Sequence, residues 1–83
     1  MNEEFKKIGK RIKIIRIERG VTQTALAKEL GISQTNMSNI ECGRRFMTAE
    51  TLEKIALALE VEEKELFDFG HIKSRDELIF YLN

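Results

Sequence analysis

Residues 22 to 43 read TQTALAKELGISQTNMSNIECG, and the fold turns on them. Thr22 and Ser33 are hydroxyl residues of the kind that cap a helix N-terminus by accepting a backbone N–H. Each precedes apolar residues at helical spacing: Leu26, Ala27 and Leu30 after the first, Met37 and Ile40 after the second. Between the two helices lie only Gly31, Ile32 and Ser33. A connection this short, with a glycine in it, forces the helices to cross steeply with Ile32 in the crook, which makes a helix-turn-helix.

The same spacing continues outward. On the N-terminal side Phe5, Ile8, Ile12 and Ile15 mark a helix from about Glu3 to Arg19, stopped by Gly20. On the other side Thr48 caps a helix that turns Leu52, Ile55, Ala56 and Leu59 inward. After Val61 a short acidic helix holds Leu66 and Phe67, and Ser74-Arg75-Asp76-Glu77 has the spacing of a capping box that opens a last helix to Leu82. Proline is absent and no alternating Val/Ile/Thr run suggests a strand. The expectation is an all-α chain, a compact bundle of five to six short helices. It forms a single domain over residues 1–83, with residues 60–83 as its C-terminal dimerisation segment.

Composition removes several function classes. With 83 residues, 42% of them apolar, the chain is large enough for one core without staples. One Cys and one His cannot supply a disulfide or a structural zinc cluster, so neither a metal nor any other cofactor is expected, in a reducing, cytoplasmic setting. The longest fully apolar runs, 55–59 and 78–82, are far short of the roughly 20 residues of a membrane span. The charged start MNEEFKKIGKR lacks the apolar region of a signal peptide. His71 follows Gly70 in an expected loop and Cys42 is a lone thiol, with no nucleophile and base pairing in sequence around either, so no enzyme is expected.

Zero net charge conceals a division. Residues 1–45 carry ten basic and five acidic side chains, a balance of +5, and residues 46–83 carry the opposite balance, −5. A basic half suits a polyanion, while the acidic half faces solvent or a partner subunit. The third helix supplies a surface for that polyanion. At about 100° per residue, with Met37 at 0° and Ile40 at about 300°, the buried direction lies near 330°. Thr35, Ser38, Asn39 and Cys42 then point outward, and Gln34 joins them at the first turn. Amides can bond adenine in a bidentate way, and Ser and Thr pair with several base edges, so this face suits a DNA major groove. Glu41 falls at the core's edge, as does Arg16 beside the buried Ile15.

The joint pattern TQ at 22–23, LA at 26–27, LGIS at 30–33, MS at 37–38, IE at 40–41 and Gly43, continued by TAETLEKIALALEV at 48–61, resembles the phage-repressor (Xre/Cro-type) helix-turn-helix family. Among its members the small controller proteins of restriction-modification systems have this length. The resemblance covers residues 8 to about 67 and implies a lambda-repressor-like fold in a sequence-specific regulator of transcription. It implies that Gln34, Thr35, Ser38 and Asn39 read bases, that Gln23, Arg44 and Arg45 grip phosphates, and that Arg16 and Glu41 form a structural ion pair. Met47 departs from the family pattern, which often has a proline before the fourth helix.

Four of the six aromatic residues, Phe67, Phe69, Phe80 and Tyr81, fall in the last 17 positions. With Leu66 and Ile72 they exceed what a small interior can take, which points to a homodimer interface. The expected partners are therefore double-stranded DNA and a second copy of the chain, without a membrane. A protein-binding adaptor or an antitoxin on the same fold is the alternative, and salt-dependent binding to a palindromic duplex separates the two.

Overall fold

A computed structural model of the chain describes residues 3–45 and 47–68. Four α-helices run in order, α1 (Glu3–Glu18), α2 (Gln23–Leu30), α3 (Gln34–Glu41) and α4 (Ala49–Leu59), followed by a 3-10 helix at Glu63–Phe67. Among the described residues there is no strand. The expected five to six helices are thus four there. The short acidic helix is a single 3-10 stretch because only five residues separate Glu62 from Asp68, and Glu62 gives it no side-chain cap. The helix expected from Ser74 to Leu82 lies outside the described residues.

Local chemistry sets the boundaries. Thr22, Ser33 and Thr48 each accept a backbone N–H three residues ahead, from Ala25, Asn36 and Thr51 at 3.0, 3.1 and 3.2 Å. Each cap satisfies one of the N–H groups that a helix start leaves without a partner. Gly31, at φ 70°, closes α2 in the left-handed conformation that a side chain resists, and Ile32 N–H then reaches back to the Ala27 carbonyl. That reversal turns the chain sharply into α3. Glu60, not a glycine, takes the equivalent left-handed position after α4.

The core is a single cluster that draws on every element. Ile12, Leu26, Met37, Ile55, Leu59 and Leu66 are its largest fully buried side chains, and Phe5, Leu30, Ile32 and Leu52 pack around its margin. One correction follows. Leu66, expected at a dimer interface, is 0% exposed and fills the interior beneath α1 and α4. Met47, in the loop between α3 and α4, is buried and joins the core cluster.

Two features of α1 that its apolar spacing did not disclose govern how it docks. Arg11 is buried, and its Nε donates to the Glu65 carbonyl at 2.8 Å while its guanidinium meets the Glu65 carboxylate at 3.3 Å. That pins the 3-10 helix to α1. At Gly9 the α1 backbone lies against the end of α3, so closely that a Cβ would stand 2.5 Å from the Ile40 carbonyl oxygen and 2.6 Å from that of Glu41. Only glycine permits this approach.

Two effects therefore oppose each other at Gly9. Replacing glycine by alanine inside a helix ordinarily gains up to about 1 kcal/mol, whereas forcing a methyl group against backbone atoms costs typically 1–3 kcal/mol, and backbone has little room to yield. Gly9→Ala is expected to lower stability by about 1–2 kcal/mol in urea unfolding; a stabilised variant would show that α1 does not press on α3 at this point.

Candidate nucleic-acid interface

The outer face of α3 follows from what its inner face buries. Met37 and Ile40 are held in the core, which leaves Gln34 and Thr35 exposed and Ser38 and Asn39 half-buried along the opposite side. Together with Gln23 at the first turn of α2 and Arg44 just past α3, these four line one shallow open concavity. The lining combines amide and hydroxyl groups with one cation and no carboxylate. Donors and acceptors at variable spacing can meet base edges, and a cation at the rim can meet a phosphate. Cys42 lies just beyond, as an exposed free thiol.

A buried network fixes this face. Arg16 and Glu41 are only 8% and 5% exposed, and they pair through two bonds: Arg16 Nε to Glu41 Oε2 at 2.7 Å and Arg16 Nη2 to Glu41 Oε1 at 3.2 Å. A two-point guanidinium–carboxylate contact fixes orientation as well as distance. Nη1 of Arg16 donates to the Val21 carbonyl at 2.8 Å, in the turn that leads into α2. Gln23 Nε2 donates to Glu41 Oε1 at 3.1 Å. α1, the α1–α2 turn, the start of α2 and the end of α3 are thus joined through one ion pair. Every buried side-chain nitrogen and oxygen among the described residues has a partner.

The sequence did not disclose the bond of Gln23 to Glu41. One amide hydrogen of Gln23 is engaged there, and the residue also lines the concavity. Sequence could have flagged it, since a steep crossing of the two helices brings a glutamine at the opening turn of α2 towards the end of α3.

The remaining expected site residues divide. Arg45 does not line the concavity; its Nη1 donates to Asn36 Oδ1 at 3.0 Å, on another edge of α3. Of the residues expected at a dimer interface, Leu66 is internal and Phe67 is 48% exposed. Phe69, Ile72, Phe80 and Tyr81, like His71, lie outside the described residues. Among the described residues no group of His, Cys, Asp or Glu is placed to hold a metal ion, and no helix is long and apolar enough to cross a membrane.

Comparison with known proteins agrees with this geometry. A family model described as a helix-turn-helix domain matches residues 9–68. The control protein C.BamHI of Bacillus amyloliquefaciens is 37% identical over 65 residues, covering 77% of this chain and 80% of that protein. The ImmF control region 10 kDa protein of Bacillus phage phi105 is 42% identical over 57 residues, 69% of this chain; the match spans 63% of the phage protein's length. Among solved structures, the restriction-modification controller protein C.AhdI of Aeromonas hydrophila superposes with a TM-score of 0.75 at 30% identity, covering 80% of this chain and all of that one.

Removing one partner of the buried pair strands the other's charge away from water. Glu41→Ala and Arg16→Ala are each expected to destabilise the fold by up to about 3 kcal/mol, and the double variant by less than the sum of the two. Strict additivity in a denaturation cycle would show that the pair contributes nothing as a pair.

Proposed function

Because the chain belongs to the helix-turn-helix domain family, we propose that it is a sequence-specific DNA-binding regulator of transcription that acts as a homodimer on a palindromic operator. One observation carries the reading. The four polar residues on the outer side of α3 share a concavity with Gln23 and Arg44, so groups suited to base edges lie next to groups suited to phosphates. A relative named as a control protein and a solved structure named as a restriction-modification controller protein point the same way.

In this reading α3 enters the major groove, and Gln34, Thr35, Ser38 and Asn39 meet base edges. Arg44 neutralises phosphate charge at the rim, and Gln23 bonds a phosphate through the N–H that Glu41 leaves it. The unpaired N–H groups at the start of α2 lie beside Gln23 and add to its attraction for an anion. A single helix reads too few base pairs to find a site in a genome. Two of them about 34 Å apart read half-sites one helical turn apart, which is why a homodimer fits.

Residues 60–83 are proposed as the dimerising segment. Phe67, half exposed on the 3-10 helix, gives it an apolar start. Its acidic character keeps this end away from DNA, consistent with the opposite charges of the two halves of the chain.

Selection from a random duplex pool, repeated with variants, tests the base readers. Asn39→Ala or Thr35→Ala should cost about 1–3 kcal/mol on the selected site and relax preference at particular base pairs. Arg44→Ala should weaken all sequences alike and reduce the salt slope by about one. An Asn39→Ala protein that selects the same site with the same affinity removes Asn39 from the groove.

Sedimentation tests the assembly. The full chain should be dimeric at tens of micromolar, as expected for an interface of about −8 kcal/mol. A chain lacking residues 69–83 keeps Leu66 in the core and should dimerise more weakly, with residual half-site binding. A full-length monomer at that concentration contradicts the arrangement.

A further inference from the structure

The arginines that follow α3 do not share one place. Arg44 lines the concavity of the reading face with Gln23. Arg45 lines a separate hollow between α3 and α4, with Leu30, Ile32, Ile40, Thr51 and Lys54. On the helix wheel the contrast is angular. Glu41, to which Gln23 is bonded, lies at about 40°, the reading face spans roughly 60° to 200°, and Asn36 lies at about 260°. Gln23 and Arg45 therefore occupy opposite flanks of the reading face.

Asn36 is what ties Arg45 there. Its Oδ1 accepts from Arg45 Nη1 at 3.0 Å, and the cap of α3 uses only its backbone N–H. The side chain is thus not used in capping the helix, and its oxygen is bonded to the arginine. Arg45 is exposed, and no lining residue of its hollow is a carboxylate. Lys54, the other cation lining the hollow, has its ammonium paired with Glu50 at 3.3 Å. A long exposed arginine otherwise samples many rotamers, and holding it in one costs entropy when an anion binds. A neutral amide acceptor directs the guanidinium without cancelling its charge, which a carboxylate at the same place would do.

We propose that Asn36 is a positioning residue, not a base reader: it holds Arg45 on the flank of α3 opposite Gln23, aimed at the phosphates of the strand that Gln23 does not touch. This rests on the DNA-binding reading above and adds to it a division of labour between the two flanks. The reading helix is then gripped from both walls of the groove, by Gln23 with Arg44 on one side and by Arg45 on the other.

The test compares the full chain with Asn36→Ala, Arg45→Ala and the double variant on the duplex selected by the unaltered protein. Affinity is measured across a salt series, with phosphate-ethylation interference on each strand. Arg45→Ala is expected to reduce the salt slope by about 0.9 and to abolish interference at one or two phosphates on a single strand, opposite to those assigned by Gln23→Ala. Asn36→Ala is expected to weaken binding by up to about tenfold, to weaken interference at those same phosphates and to leave the preferred sequence unchanged. The double variant should bind no worse than Arg45→Ala alone. The proposal is overturned if Asn36→Ala changes the preferred bases, if its loss multiplies with that of Arg45→Ala, or if Gln23 and Arg45 map to the same strand. Failure of the unaltered protein to bind any duplex in a salt-dependent way would instead remove the DNA-binding reading, and this inference with it.

Discussion

The guanidinium of Arg16 meets the carboxylate of Glu41 at 2.7 Å where both are shut off from water, and the placement of the outer face depends on that contact. Arg16 belongs to α1 and Glu41 to the last turn of α3. The same two groups hold the Val21 carbonyl before α2 and the Gln23 amide at its start. A buried ion pair is weak evidence for net stability, because desolvating both charges offsets most of their attraction. Its consequence here is geometric. Apolar packing around Met37 and Ile40 fixes which side of α3 faces inward but tolerates sliding and rotation; a two-point bond at the helix end does not.

The docking of α1 serves the same end. Gly9 lets the α1 backbone lie on the Ile40 and Glu41 carbonyls, and that closeness brings Arg16, two turns further along α1, within reach of Glu41. Arg11, from the same helix, anchors the 3-10 segment and with it Leu66 in the core. α1 contributes no residue to the lining of the concavity, yet it determines where the helix that carries that face ends. The two buried arginines have different tasks, one towards α3 and one towards the C-terminal end of the described fold.

Much of this was legible in the sequence because it rests on local rules. Thr22, Ser33 and Thr48 announce their helices through capping chemistry, Gly31 through its left-handed turn, and the inner residues through a period near 3.6. Thr35, Ser38 and Asn39 could be placed outward from Met37 and Ile40 alone. What stayed hidden depends on distant partners. Arg11 looks like a surface cation on α1 until Glu65, 54 residues away, is folded against it. Leu66 looks like surplus apolar area until the space beneath α1 and α4 is seen to need it. The separation of Arg44 from Arg45 depends on the backbone path after Gly43, which no periodicity encodes.

The central claim is that the outer side of α3, with the start of α2 and the loop after α3, is the surface that meets DNA in a sequence-dependent way. Amide chemical shifts followed by NMR during titration with a selected duplex test it directly, with a scrambled duplex at the same salt as reference. The account predicts that the selected duplex shifts Gln23, residues 34–39, Arg44 and Arg45 strongly and the exposed side of α4 around Leu57 hardly at all, and that the scrambled duplex gives a smaller response on the same residues. Shifts concentrated on α4, or identical for the two duplexes across α3, would contradict it.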